Sequence, residues 1–452
     1  MDDPRDQRIA ELEAENAGLR KRIAQLEHQV QQFLQRRKRK SKRGPPRQGT
    51  PNDRRRQEHR QHPGSFRPEP PSDTVFIEHD VHPKQCAHCG SDDLEPTSDF
   101  EDHIVADIPE PKLEWHRYRR HIHRCRCCQK TCQGRGDLEL PGAHIGPRTR
   151  LLTAYGRAHL GISLGKTKDL LHDFFGLSVS RAGLLGHLRW AGQLFEPVVE
   201  ELFERLRNSP VVQGDETGWR INGQTAWAWC FRDPKLALFL IDRHRSHDVI
   251  VRVLGETFAG TLVSDFYAAY NGFDCPKQRC LVHLLRELAK LREELPWQSV
   301  RAFIQPLITL FQDAIQLSKD RAHLSADAFA QAKHRIHERF GDLLLGCRSK
   351  HPECQRIWKR LFKYDNELFT FLDDPRVPAD NNGCERDIRS LAAARNDGGV
   401  HRAEWSAAAF ARIKSVIVTG YKNGVSFIRY GLEVVRAKLG GQPLPLPLAD
   451  SN

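Results

Sequence analysis

The sequence predicts a multidomain chain: an N-terminal coiled coil, a zinc ribbon, a helical helix-turn-helix-like segment and an α/β core broken by a helical insertion. Three observations lead there. A heptad opens the chain, cysteine pairs at metal-ligand spacing follow, and short apolar strands ending in acids appear in the second half. About three compact units are expected from 452 residues. No apolar run reaches the roughly 18 residues a spanning helix needs. The opening MDDPRDQRIAEL is charged, unlike a secretory signal. Both features point to a cytoplasmic protein without a membrane partner.

Residues 7–35 place Ile9, Asn16, Ile23 and Val30 at one heptad position and Leu12, Leu19, Leu26 and Phe33 at the other. β-Branched residues at a with Leu at d favour a parallel two-stranded coil, and one Asn at a fixes its register. A homodimer or higher assembly through this zipper is expected, although Gly18 weakens the helix by about 1 kcal/mol relative to Ala.

Residues 36–74 read as a flexible linker, first basic, then rich in Pro, Gln and Ser. Residues 36–60 hold twelve Lys or Arg against two acids, which is most of the net charge of +12. Concentrated basicity is the footprint of a segment that neutralises phosphates, so Arg36, Arg37, Lys38, Arg39, Lys40, Lys42 and Arg43 are candidate DNA contacts. A solvated linker that binds nothing specific has the same composition.

Residues 75–140 hold two C-x₂-C pairs, Cys86/Cys89 and Cys125/Cys128, around a stretch that reads as β-rich. Four thiolates in a closed tetrahedral site would bind structural Zn²⁺. The 35-residue gap exceeds the usual ribbon spacing, and Cys127, Cys132 and His123 compete as ligands. The twelve cysteines of a chain with no signal peptide favour zinc and free thiols over disulfides. The basic run His116–Arg126 beside the second pair could meet phosphates.

Residues 148–205 are helical by pattern. A helix closed by Gly176, a three-residue turn and Ser180 as the next N-cap make a helix-turn-helix pattern, with Ser180, Arg181 and His187 toward a DNA groove. Many helical hairpins share it and bind nothing.

Residues 210–438 form the expected catalytic domain, with a helical insertion at about 290–375 and a frayed tail at 439–452. VVQGDE, QTAWAWCFRD, LALFLIDR and GTLVSD read as strands, with a helix before the last. Three strands, a helix and a fourth strand is the order of a ribonuclease-H-like domain, in which the first and fourth strands are neighbours. Asp215 and Asp265 then end adjacent strands, and Glu385 opens a helix in DNNGCERDIRS. Three such carboxylates can hold a pair of hard divalent cations, Mg²⁺ or Mn²⁺, which accept the same ligands. Two metals roughly 4 Å apart activate a nucleophile and stabilise the leaving oxygen of a phosphodiester. Arg386, Arg389 and Lys422 are candidate phosphate contacts, and His283 either positions a strand or sits in the core.

DET at 215–217, SDFYAAYN at 264–271, CLVH at 280–283 and DNNGCERDIR at 380–389 resemble the insertion-sequence-66 family of DDE transposases (transposase C type). The similarity runs along most of the chain. It implies Asp215, Asp265 and Glu385 as the catalytic triad, a ribonuclease-H-like fold broken before the Glu, and companion proteins from the same bacterial element. The implied activity is cleavage at transposon ends and joining of the 3′ ends to target DNA, at the nucleoid. Gly218-Trp219, Phe266 and Gly383-Cys384 depart from the family pattern, and none removes a carboxylate. A non-catalytic DNA-binding regulator, or a scaffold for a partner that cuts, would share the zipper and zinc module. The intact acids argue for the enzyme.

Overall fold

The computed structural model describes residues 70–295, 297–346, 349–398 and 401–449, with the backbone alone at 396–398. The zipper at 7–35 and the basic contacts Arg36–Arg43 lie outside these residues. The chain divides into two compact units, Met1–Ile104 and Val105–Asn452.

In the first unit the described chain, from residue 70, has no regular helix or strand; it makes a turn at Pro71–Thr74 and a knuckle at Cys86. In the second unit, β1 (Ile122–Arg124) and β2 (Thr131–Gln133) form a small antiparallel ribbon around Cys125 and Cys128. The stretch between the cysteine pairs therefore holds much less strand than its sequence suggests: only Ile122–Arg124 pairs. Charged and Pro residues interrupt the apolar alternation that a longer ladder would need.

Three helices follow: α1 (Pro147–Ala158), α2 (Leu164–Phe175) and α3 (Arg181–Arg207). Ser163 caps α2 by accepting from the Lys166 N–H, and Ser180 caps α3 by accepting from the Gly183 N–H. Gly176 closes α2 at φ +63°, a left-handed cap that glycine adopts without a Cβ penalty. Apolar residues at helical spacing (Leu184, Leu188, Ala191, Phe195, Leu202) bury one face of α3, which packs on α1 and on the later helix Glu404–Lys422.

The sheet has five strands: β3 (Val211–Ile221), β4 (Gln224–Arg232), β5 (Ala237–Asp242), β6 (Thr261–Ser264) and β7 (Lys277–Arg279), in the order β5-β4-β3-β6-β7. β3, β4 and β5 are antiparallel, joined at one end by the Asn222-Gly223 turn, both residues at positive φ. The helix α4 (His247–Leu254) carries the chain across, so that β6 lies parallel to β3 and β7 parallel to β6. A fifth strand that the four-strand reading did not include, Lys277–Arg279, precedes CLVH, and Cys280 is the N-cap of the helix that follows.

Between β7 and Glu385 the described chain makes no strand. The helices α5 (Leu281–Glu294), α6 (Gln298–Lys319), α7 (Ala326–Leu345), α8 (Pro352–Lys363) and α9 (Thr370–Asp373) bury a core of their own, joined to the sheet through Val211 and Val263. The chain then returns as α10 (Asn382–Gly398), α11 (Glu404–Lys422) and α12 (Phe427–Leu439). The edge strand β5 is covered by α11: Thr419 Oγ1 accepts from the Ala237 N–H at 3.1 Å, and Ser415 Oγ from the Phe239 N–H at 2.9 Å. Two β-edge donors are thereby satisfied and closed to another strand. The tail is packed rather than frayed. Leu444, Leu446 and Leu448 lie on the main core, and the Tyr430 hydroxyl donates to the Pro445 carbonyl at 2.8 Å.

Candidate active site

The parallel register pairs Val211 with Thr261, Val212 with Leu262 and Gln213 with Val263. Carrying that register two residues further aligns Asp215 with Asp265. Asp265 stands just past the end of β6, where its Oδ1 accepts from the Tyr267 N–H at 2.8 Å. Beneath it the buried Arg279 donates to the Asp265 carbonyl at 2.8 Å and to Asn271 Oδ1 at 2.8 Å, fixing the turn. Arg279 also pairs with Glu367 of the insertion.

Glu385 is delivered from the far side of the insertion by a docked helix start. Asn381 Nδ2 donates to the Gly214 carbonyl at 2.9 Å, one residue before Asp215. Gln213 Nε2 donates to the Asp380 carbonyl at 3.0 Å, and Asp380 Oδ1 accepts from the Asn382 N–H at 2.9 Å. Gly383 is required by close approach: a Cβ there would stand 1.6 Å from Arg232 Nη1 and 2.4 Å from Gln213 Oε1. Cys384 is fully buried and its thiol donates to the Cys230 carbonyl at 3.2 Å. Asp387, on the same helix, sits between Arg232 and Lys422, each at 3.2 Å. Lys422 is thus largely buried in an ion pair and is not a free phosphate contact.

Asp215 feels both other acids. Burial, then the charge of Glu216, then Asp265 and Glu385 push its carboxyl up to about 7. Glu385 Oε1 is buried without a hydrogen bond, with His283 Nε2 and Arg286 Nη1 each 3.5 Å away. Asp265 and Glu385 are near enough to raise Asp215, but among the described residues the group whose ligand atoms all lie within 4.8 Å of one another is Cys280, His283 and Glu385, not the three acids. Carboxylate oxygens are the donors that hard divalent cations prefer. His283 faces Glu385 and is half-exposed, so it belongs to the site rather than the core. Arg386 and Arg389 are exposed on α10, and Arg389 Nη2 stands 3.4 Å from Glu385 Oε2.

Sequence reasoning missed the support beside Asp215. Glu216, its side chain 1% exposed, pairs with Arg245 at 2.6 Å and accepts from the Tyr270 hydroxyl at 2.7 Å. Arg245 lies over the Tyr267 ring at 3.7 Å and the Trp227 ring at 4.5 Å. A Tyr five residues past Asp265 was the only local signal. Phe266, one of the departures from the family pattern, packs on the insertion, edge-on to Tyr364 and under Arg360.

Among the helical candidates, Ser180 and Arg181 are exposed at the start of α3. His187 is not a groove residue. It is 4% exposed, its Nδ1 lies 3.1 Å from Thr153 Oγ1, and burial, then Arg150, pushes it down to about 4. It sits seven residues into the helix, on the face that α3 turns to α1.

The two cysteine pairs, each taken within its own unit, have one backbone pattern. The Cys86 N–H donates to the Ser91 carbonyl and the Gly90 N–H to the Cys86 carbonyl. Likewise the Cys125 N–H donates to the Lys130 carbonyl and the Gln129 N–H to the Cys125 carbonyl. Gly90 and Gln129 both take positive φ, +76° and +58°. The backbone N–H groups of His88 and Cys89 lower the Cys86 thiol, as those of Cys128 and Cys127 lower Cys125. Thiols held this way are prepared to ligate as thiolates. His123 and Cys132 are paired across the ribbon, and Cys127 is exposed.

The chain thus carries cysteine knuckles followed, later in sequence, by a mixed α/β core rich in helices, with neighbouring carboxylates. The family model described as Transposase IS66 family matches residues 143–409, more than half of the chain. A second, the zinc-finger binding domain of transposase IS66, matches residues 83–129 and spans both knuckles. The chain belongs to the IS66 transposase family and carries its zinc-finger domain, a module for structural zinc. A search of the curated proteins returns no match.

Proposed function

We propose that the chain is a DDE transposase that cleaves the ends of its insertion sequence and joins the 3′ ends to target DNA. The observation that carries this reading is the juxtaposition of the three acids: the β3–β6 register aligns Asp215 with Asp265, and the Asn381 bond to the Gly214 carbonyl brings the start of the Glu385 helix beside them. The strand order β5-β4-β3-β6-β7 supports a ribonuclease-H-like core, and Gly176 with Ser180 supports a helix-turn-helix reading of α2 and α3.

In this reading Asp215, Asp265 and Glu385 hold Mg²⁺ or Mn²⁺. Bound there, the ions supply an activated nucleophile and stabilise the charge on the leaving oxygen. The protein's part is placement. The β3–β6 register sets the two aspartates, the Asn381 bond to the Gly214 carbonyl sets Glu385, and the Glu216–Arg245–Tyr270 network anchors the strand position next to Asp215. His283 and Arg286 border Glu385, where a scissile phosphate would lie. Cys86, Cys89, Cys125 and Cys128 are the proposed zinc ligands. Arg386, Arg389, Ser180, Arg181 and the basic block at 36–43 are the proposed DNA contacts, and the zipper is the proposed dimer contact.

Nicking of a labelled DNA carrying the element's own ends tests this, with companion proteins present, in Mg²⁺ and in EDTA. Cleavage that needs Mg²⁺ and vanishes in Asp215→Asn, Asp265→Asn and Glu385→Gln is expected. End-binding without any cleavage would instead favour a non-catalytic regulator.

A further inference from the structure

We propose that Cys280, His283 and Glu385 form a second, softer metal site that takes Zn²⁺ and, by claiming Glu385, switches the hard-metal centre off. The inhibitory half rests on the role proposed for Glu385; the binding half does not.

One ligand atom from each of these residues lies within 4.8 Å of the others. In tetrahedral zinc sites, bonds of about 2.0–2.3 Å put ligand atoms roughly 3.3–3.8 Å apart, so closure needs a shift of about an ångström. The three side chains come from two helix starts that face each other. Cys280 is the N-cap of α5, His283 stands in its first turn, and Glu385 stands in the first turn of α10. The two starts are already tied, because the Asn381 N–H donates to Cys280 Sγ at 3.2 Å. That N–H would support the sulfur as a thiolate.

Two further observations point to a missing ligand. Glu385 Oε1 and His283 Nδ1 are both buried without a hydrogen-bond partner. The nitrogens near Glu385 leave this gap open: Arg286 and His283 stand 3.5 Å from Oε1, too far for a good hydrogen bond, and both are partly exposed. A sulfur, an imidazole and a carboxylate form a mixed set that suits Zn²⁺ and suits Mg²⁺ poorly. Three protein ligands leave a fourth position for water. Cys280 is completely buried, whereas His283 and Glu385 are partly exposed.

The rival role for Cys280 is that of a hydrogen-bond acceptor at a helix start. Cys280→Ser separates the two, since serine still accepts from the Asn381 N–H but is a poor zinc ligand. The full-length protein is stripped of metal, reloaded with Zn²⁺, and its bound zinc counted. About two ions per chain are expected for the wild type, one of them in the zinc finger, and about one for Cys280→Ser and His283→Ala. Cys86→Ser should lose the other ion and keep this one. Co²⁺ loading of Cys86→Ser, which lacks the zinc-finger ion, should show a one-thiolate charge-transfer band that adding Cys280→Ser removes. Micromolar Zn²⁺ should suppress Mg²⁺-dependent nicking at least tenfold in the wild type, and the residual nicking of Cys280→Ser should resist it. Equal zinc counts in the wild type, Cys280→Ser and His283→Ala overturn the site. If nicking is absent under every condition, the transposase reading fails while the zinc count still decides this one. Two ions per chain with nicking unaffected by Zn²⁺ would keep the site and overturn the switch.

Discussion

The cysteine knuckles close within six residues, from Cys86 to Ser91 and from Cys125 to Lys130, whereas the carboxylate site joins positions 215, 265 and 385. Each knuckle is built by two local backbone hydrogen bonds and one residue at positive φ. The carboxylate site depends on the β3–β6 register, the buried Arg279 and a helix docked through Gln213, Gly214 and Arg232. A local device fails alone. A device assembled across the chain fails wherever its supports fail, and that contrast can be broken or sharpened by substitution.

The largest effect is expected at the acids themselves. Asp215→Asn, Asp265→Asn or Glu385→Gln should lower the nicking rate by about 10³-fold or more, on the order of 4 kcal/mol in the barrier. Circular dichroism should show the fold retained, because each change is isosteric.

The next effect tests the supports. Gly383→Ala puts a methyl into the space of Arg232 and Gln213. It should cost about 1–3 kcal/mol in urea unfolding and, by misplacing Glu385, about 10–100-fold in nicking. Asn381→Ala should cut nicking similarly. Unchanged nicking in both variants would mean that the docking bonds do not set the site.

A smaller effect is a pH slope in stability. His187 and His401 are both buried and pushed down to about 4, below the ordinary value of about 6.5. His401 owes this first to burial against Trp219 and Phe410, then to the charge of Arg157. The unfolded chain takes up protons first as pH falls. Their contribution is therefore complete above about pH 6.5 and is lost as pH drops toward 4, on the order of 2 kcal/mol each. Thermal unfolding between pH 7 and 5 should show the decline, and His187→Gln with His401→Gln should flatten it.

The smallest effect on the core is expected from the knuckles. Chelating zinc, or Cys86→Ser, should expose residues 83–129 to protease while moving the core's urea midpoint by less than about 0.5 kcal/mol.

The same contrast governs what could be read from the sequence. C-x₂-C spacing is a local signal, and so are Gly176 as a helix stop and Ser180 as a helix start. Asp215 and Asp265 were legible because each follows an apolar run, and Glu385 because Asp-Asn-Asn opens a helix. The supports were not. Arg279 reads as an exposed cation by composition but is fully buried between the Asp265 turn and Glu367. Glu216 looks like a neighbour of the functional acid and proves to be a buried ion pair with its own tyrosine. His187 and Lys422 erred the other way, since polar residues on amphipathic helices were taken as surface while their faces turn inward. The tail PLPLPL reads as frayed because prolines end helices, yet its alternate leucines cover the core. Burial of a polar side chain depends on partners distant in the chain, which no local pattern encodes.

The most direct test of the central claim is whether these acids touch the metal. Asp215→Cys, Asp265→Cys and Glu385→Cys would be assayed for nicking in Mg²⁺ and in Mn²⁺. A thiolate binds Mg²⁺ poorly and Mn²⁺ better. Loss of nicking in Mg²⁺ with recovery of at least about tenfold in Mn²⁺ is the predicted result for the two aspartates. Undiminished nicking in Mg²⁺ by either aspartate variant would contradict direct ligation and remove the basis for a carboxylate metal centre.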